Sequence, residues 1–382
     1  LRALLVTSCG GNLRKNNMTK VLVGTFVLVL TSTISNSPFA IAKLSCKSAS
    51  GKDVDWFVVY KIPKARRNFR SFMQPRGGEM AYYDSTSTAS KWTLLSSDIN
   101  NETNNPIAYT LEPLYDEYSK IAYLAYNDQV PDGFGSGRGG HTKGVLMAGN
   151  NVDLGAVWLQ HSVPRFVDDV EKGYVYPSSG RANGQLFFCI TFPLATVETI
   201  SYHLQLQEAK VYQSRYLPWT SVFRQFSSLL KKKYMKKTKN VRGDVLHTRK
   251  GIPVLAIAKS PRWLDDIYTK ELSPLINDSM TVQTWRKGAG GAQNQHCSAL
   301  YSVTDVEDVS VQTHRGVLAF SSREDHSKWS VARSKAIFCF SSLNRMISQW
   351  KRGGEITCIS DMQLANLFRN SILRRNKCKA ER

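Results

Sequence analysis

The sequence predicts an α/β protein built from layered sheets, and three observations predict it. Short apolar runs rich in β-formers recur along the chain. Segments with apolar residues at helical spacing fall between them in both halves. One run, Gln185 to Phe192, is apolar almost without interruption, the mark of a strand covered on both faces. At 382 residues, 42% hydrophobic and 21% charged, the chain has room for two domains or one large duplicated one, and disordered and collagen-like classes are excluded.

Taken in order, residues 1–42 read as a leader and signal peptide that is removed. Met18-Thr19-Lys20 opens a basic segment, Val21 to Leu30 is apolar apart from Gly24 and Thr25, and Ala40-Ile41-Ala42 has the small-x-small form of a cleavage site. Residues 1–17 precede the first methionine and receive no structural role. The mature chain is expected to begin near Lys43. The apolar run falls short of the roughly 20 residues of a membrane-spanning helix, so no stable membrane association is expected.

The N-terminal half, 43–228, opens with a strand over Asp55 to Pro63 and continues through a polar loop region from Arg76 to Pro106. A strand from Ile121 to Asp128 leads into the glycine-rich Asp132 to Gly140. A hairpin-sized excursion then returns as the strand Val157 to Pro164, the apolar run Gln185 to Phe192 follows, and Thr196 to Tyr212 carries apolar residues at mostly helical spacing. Residues 229–250 form a basic linker containing the densest charge run, Lys231 to Lys239. The C-terminal half, 251–382, offers a strand at Gly251 to Ala258, a helix at Trp263 to Leu272, and a glycine-rich stretch from Trp285 to Ala292. Next come strands at Val317 to Ser321 and Ala336 to Phe340, a helix at Leu343 to Lys351, the turn Gly353-Gly354, and a last basic helix.

Two tripeptides organise this layout: His141-Thr142-Lys143 in the first half and His326-Ser327-Lys328 in the second. In extended backbone, residues i and i+2 share a face, so each histidine projects beside its lysine while the middle residue turns away. An imidazole serves as nucleophile or acid/base, and an ammonium neutralises phosphate charge. Duplication implies one shared phosphodiester site, and His161 on the returning strand can reach the same face as Lys143. The remaining histidines, His203, His247, His296 and His314, read as structural or surface residues.

Charge and cysteines fit this picture. Lys and Arg number 51 against 30 Asp and Glu, a net charge of +21 that favours polyanionic partners. Beyond Cys9 stand Cys46, Cys189, Cys297, Cys339, Cys358 and Cys378, an even set expected to form disulfides in an oxidising compartment, with the pairing left open. Their spacings match no zinc module. Asn101-Glu102-Thr103 and Asn277-Asp278-Ser279 are acceptor sites for N-glycans.

Gly140-His141-Thr142-Lys143-Gly144-Val145, Trp158-Leu159-Gln160-His161-Ser162-Val163-Pro164, Gly184 to Cys189 and Asp325-His326-Ser327-Lys328-Trp329, in that order, resemble the successive signatures of the deoxyribonuclease II family, the acid DNases. The resemblance extends to Asn344-Arg345-Met346 and Arg352 to Cys358. It implies a phospholipase-D-like pseudodimer whose two α/β halves share one active site formed by His141, Lys143, His161, His326 and Lys328. It further implies attack by one histidine on phosphorus, protonation of the leaving 5′ oxygen by the other, and release of a 3′-phosphate by water. No cofactor and no metal are implied, because the lysines bring the positive charge; the partner is DNA, and no protein partner is implied. The implied disulfides are Cys46 with Cys189, Cys297 with Cys378, and Cys339 with Cys358. The expected destination is secreted or lysosomal.

Departures from the wider pattern matter too. The phospholipase D motif carries an aspartate five residues beyond the lysine, where this chain has Ala148 and Arg333, so a lipid phosphodiesterase is disfavoured. The segments Ala148 to Asp153 and Phe166 to Asp169 depart from the family and are expected to border the cleft. The expected function is metal-independent acid cleavage of DNA, and the competing reading is a secreted DNA-binding protein of the same fold without turnover. An unperturbed histidine is mostly protonated near pH 5, which suits the acid role.

Overall fold

The computed structural model describes residues 44–66, 71–116, 120–133, 137–288 and 290–378. The expected leader and signal peptide, 1–42, lie outside the described residues. The architecture is mixed α/β and dominated by two large sheets. Among the described residues one sheet has 8 strands and the other 10.

The first sheet contains β1 (Trp56–Lys61), β2 (Met80–Asp84), β3 (Ala122–Asn127), β4 (Lys143–Ala148), β5 (Ala156–His161), β6 (Gln185–Phe192) and β7 (Val211–Arg215). Their spatial order is β7-β3-β4-β5-β6-β1-β2, with the short strand Thr93–Leu94 at the far edge. The second contains β8 (Val241–His247), β9 (Pro253–Lys259), β10 (Met280–Gln283), β11 (Ser302–Thr313), β12 (Gly316–Ser321), β13 (Trp329–Ala332), β14 (Ile337–Ser341), β15 (Gly354–Ser360) and β16 (Ile372–Arg375). Here the order is β8-β9-β15-β14-β13-β10-β11, with β12 and β16 also pairing β11. Each sheet therefore repeats one arrangement. The strand that follows a His-x-Lys forms a hairpin with the next strand, a third strand pairs with that one, and an earlier strand flanks the third. In the first sheet these are β4, β5, β6 and β1; in the second they are β13, β14, β15 and β9.

The nearly unbroken apolar run of β6 is explained by its surroundings. Leu186, Phe188, Ile190 and Phe192 enter the central core, while Phe187 and Cys189 enter an outer core on the other face. The central core combines residues of both sheets with three helices, α2 (Thr196–Leu206), α3 (Arg224–Leu230) and α4 (Met362–Asn370). Phe188 meets Phe338 edge-on at 5.7 Å, and Gln160 Nε2 donates to Thr357 Oγ1 at 2.9 Å, so the sheets touch directly. Outside the first sheet lies α1 (Pro106–Tyr115), whose Asn105 cap accepts the Ile107 N–H at 3.0 Å. Outside the second lie Tyr268 and Leu272 with Ile276.

Several expected elements are shorter than their patterns suggested. The helix from Thr196 ends at Leu206, and Val211, which continued the apolar spacing, belongs to the edge strand β7. Helical backbone in Trp263 to Leu272 begins only at Tyr268, and Leu343 to Lys351 contains one 3₁₀ turn at Ile347–Lys351. Within the expected basic linker, Leu229 and Leu230 close α3 (Arg224–Leu230), and β8 pairs along β9. The three disulfides join Cys46 to Cys189, Cys297 to Cys378 and Cys339 to Cys358, the pairing implied by the family resemblance. Cys339 and Cys358 are register partners on β14 and β15. Asn101 and Asn277 are both exposed.

Candidate active site

His141 and Thr142 stand just ahead of β4, which Lys143 begins, and His326 to Lys328 stand just ahead of β13. The middle residue of each tripeptide turns inward. Thr142 Oγ1 donates to Glu355 Oε1 at 2.9 Å, and Ser327 Oγ donates to Asp325 Oδ2 at 2.7 Å. With those side chains fixed, backbone alternation directs the flanking histidines and lysines together. All four of His141, Lys143, His326 and Lys328 line one cavity of about 470 Å³, joined by Asp128 and Arg352.

Two backbone crossings hold the motifs there. The His141 N–H donates to Gly353 O of the second half at 2.8 Å, and the His326 N–H donates to Gly184 O of the first half at 2.9 Å. Each glycine immediately precedes the strand beside a hairpin, β15 for Gly353 and β6 for Gly184. Neither position tolerates a side chain: a Cβ at Gly353 would fall 2.0 Å from Gln207 O, and one at Gly184 would fall 2.4 Å from Asp325 Oδ1. Each motif is thus registered by the opposite half.

Asp128 is the electrostatic hub of the first motif. Its carboxylate pairs with the Lys143 ammonium and with Arg352 Nη2 at 3.1 Å, and it lies 4.0 Å from His141 Nε2. Burial alone would raise its pKa, but the Lys143, His141 and Arg352 charges outweigh that and hold it well below the usual carboxylate range. Arg352 also donates to the Gly139 and Gly140 carbonyls at 3.0 and 2.7 Å, gripping the glycine entry.

The histidines behave differently from free imidazole. Burial first, and the Lys143 charge second, push His141 well below its usual value. Burial, Lys328 and Lys143 push His326 down to about 3. The expectation of a protonated histidine near pH 5 is therefore reversed for the site by itself, where desolvation and two ammonium groups favour neutral rings. His141 Nδ1 sits 2.7 Å from Ser342 O. A carbonyl only accepts, so the proton resides on Nδ1 and the lone pair on Nε2. His326 packs against Trp285 at 4.9 Å between ring centroids. Lys328 donates to its own motif's His326 O at 2.7 Å, and burial brings its pKa down to about 7.

His161 takes a different place from the other four. It ends β5 on the same side as Lys143, but its ring packs on Phe166 and Phe187 at 5.2 and 5.7 Å and does not line the cavity; Ser162 and Pro164 do. Its Nδ1 accepts from the Val163 N–H at 3.2 Å, Nε2 has no partner among the described residues, and burial pushes its pKa down to about 3. The departing segment Ala148 to Asp153 does not border the cleft. It joins β4 to β5 at the end of the hairpin opposite Lys143. His203 is structural, with Nε2 at 2.7 Å from Asp244 Oδ2. Asp128 and Arg352 were not singled out by sequence reasoning, although a charged residue closing the buried strand Ile121 to Asp128 was a usable signal.

Fold and site define an α/β protein with a paired histidine–lysine centre where its two sheets meet. Comparison with known proteins then places it: the family model for deoxyribonuclease II matches residues 45–378. Relatives include plancitoxin-1 of Acanthaster planci, 32% identical over 94% of this chain and 99% of the relative. Human deoxyribonuclease-2-beta is 32% identical over 96% of this chain and 100% of the relative. Deoxyribonuclease-2-alpha of Sus scrofa is 31% identical over 89% and 92%. The chain belongs to the deoxyribonuclease II family.

Proposed function

We propose that this chain is a metal-independent acid endonuclease that hydrolyses DNA phosphodiester bonds through a phosphohistidine and leaves 3′-phosphate ends. The observation that carries the reading is the convergence of both His-x-Lys motifs on one cavity. Family membership and the names of the relatives support DNA as the substrate. The repeated strand order of the two sheets supports a phospholipase-D-like pseudodimer.

A phosphodiester seated between Lys143 and Lys328 meets charge supplied by fixed ammonium groups. His141, with its lone pair on Nε2, attacks phosphorus. The bond to the 5′ oxygen breaks as His326 delivers its proton to that oxygen. Water, deprotonated by the now neutral His326, then cleaves the phosphorus–nitrogen bond, restoring His141 and releasing the 3′-phosphate. The anionic substrate raises the proton affinity of His326, which the site by itself suppresses, so acidic solution loads the general acid only when DNA is bound. Asp128 holds Lys143 in place and keeps the region near His141 from accumulating unopposed positive charge. Outside the cavity, the chain runs from Gly137 on its rim to Arg138 and Gly139, which border a second cavity of about 460 Å³ with Lys210, Lys236 and Lys237. That basic path suits a sequence-independent grip on the phosphate backbone. The three disulfides favour a secreted or lysosomal destination.

The test is plasmid DNA at about pH 5 with excess chelator, with a sample quenched rapidly in alkali, where a phosphorus–nitrogen bond survives, examined for DNA joined through its 3′-phosphate to His141. Cleavage by the wild-type chain, its loss in His141→Ala and His326→Ala, and DNA joined through its 3′-phosphate to His141 are expected. Binding without product ends selects the non-cleaving DNA-binding alternative, and cleavage only with added Mg²⁺ overturns the mechanism.

A further inference from the structure

Each sheet buries a lysine that the mechanism does not use, and the two occupy matching positions. Lys61 ends β1 opposite Gln185, the first residue of β6, and Lys259 ends β9 opposite Gly354, the first residue of β15. Both are almost completely buried, at 0% and 1% exposure, where an ammonium needs a specific reason to be kept. Among the described residues, neither donates a hydrogen bond to a carboxylate. Lys61 Nζ donates to the carbonyls of Arg181, at 3.1 Å, and Asn183. Lys259 Nζ donates to the carbonyls of Arg352, Trp350 and Trp263 at 2.7, 2.9 and 2.9 Å.

The carbonyls that they hold lead to the active site. Asn183 precedes Gly184, whose carbonyl receives the His326 N–H, and Arg352 precedes Gly353, whose carbonyl receives the His141 N–H. The two loops are otherwise unlike in sequence, Arg181 to Gly184 in one sheet and Trp350 to Gly353 in the other, yet each is clamped by an ammonium at the same register point. Deep burial of a charge at both places, with backbone oxygens as its hydrogen-bond acceptors, points to a shared requirement. That requirement is the height of the glycine on which the opposite histidine hangs.

We propose that Lys61 and Lys259 are crossed positioning residues: Lys61, in the first half, sets His326 through Gly184, and Lys259, in the second half, sets His141 through Gly353. Charge-assisted bonds to neutral carbonyls are stronger than amide ones, so the clamps fix both loops without adding an anion near the phosphate. Burial brings Lys61 down to about 7 and Lys259 to about 8, which leaves both charged in acid.

The inference rests on the proposed histidine chemistry for its catalytic consequence, but its structural core is testable without turnover. Lys61→Met and Lys259→Met in the full chain keep the aliphatic stem and remove the donors. Amide hydrogen exchange is then read at His141 and His326. Lys61→Met is expected to speed exchange at His326 about tenfold or more and leave His141 unchanged, and Lys259→Met to do the reverse. DNA cleavage by each variant is expected to lose about 100-fold in kcat with KM little changed. Should a Met variant fail to fold, Lys61→Gln and Lys259→Gln, which retain a shorter donor, go through the same measurement with a smaller crossed effect expected. Equal exchange at both histidines, or an effect confined to the histidine of the same half, overturns the proposal. An inert wild-type chain with crossed exchange defeats the nuclease reading and leaves the positioning intact; an active wild type with uncrossed exchange does the opposite.

Discussion

Replacing Glu355 by Gln changes how stability responds to pH, and the size of the change follows from the site. Glu355 is the second residue of β15 and is buried; Oε1 accepts from Thr142 at 2.9 Å and Oε2 from Gln207 Nε2 at 2.7 Å. Burial outweighs the lowering effect of those bonds and lifts the carboxyl from 4.5 to about 7. The folded chain thus keeps a proton that the unfolded chain releases between those values. Stability from this group is fully present below about pH 4.5 and is lost as pH rises through about 7. At about 1.4 kcal/mol for each tenfold change in proton affinity, the full effect is about 3 kcal/mol. Gln has nothing to titrate and still offers one acceptor and one donor. Gln207 Oε1, without a partner among the described residues in the present orientation, can accept that donor after a rotation of its amide. Urea unfolding of wild type and Glu355→Gln, followed by tryptophan fluorescence at about pH 4.5 and about pH 8, isolates the effect. The variant is expected to gain about 3 kcal/mol relative to wild type across that interval. A relative change below about 1 kcal/mol refutes the reasoning.

Further outcomes are open to the same kind of measurement. Asp128→Ala leaves Lys143 and Arg352 buried without their counter-charge, costing about 3–5 kcal/mol in denaturant unfolding; because the Asp128 charge also supports protonation of His141, the histidine's titration should shift to still lower pH by NMR. His161→Phe should gain about 2 kcal/mol relative to wild type between about pH 8 and pH 5. The wild type loses that stability as pH falls because its folded form holds His161 neutral, its pKa depressed from 6.5 to about 3, whereas Phe does not titrate. Replacing Cys46 and Cys189 together by Ser opens a link between residues 143 apart and should lower stability by about 2–5 kcal/mol, read as a shifted urea midpoint.

Much of the fold was legible where one chemical pattern had one physical outcome. The two-faced apolar run of β6 matches its predicted limits, Gln185 to Phe192, because burial on both faces leaves no other composition. The middle residues Thr142 and Ser327 turn inward as strand alternation requires. Helix limits were less legible: Val211 fits helical spacing after Leu204, yet Val211 pairs with Tyr126 at a sheet edge, a preference that only tertiary contact supplies. The Asp128–Arg352 pair spans 224 residues, and each member alone looks like an ordinary charge at a strand end. His161 was placed on the correct face, but the Phe166 and Phe187 rings that enclose it come from neighbouring segments. The altered pKa values depend on desolvation, which a linear pattern does not display.

The exchange of backbone bonds through Gly184 and Gly353 has a consequence for biosynthesis. During translation the first histidine emerges long before the glycine that will register it, and the second motif docks on a loop made much earlier. No partly synthesised or half-folded chain therefore presents the assembled centre. Competence of the centre arrives only with the closing of both sheets, because each motif hangs on a backbone carbonyl that the opposite half supplies.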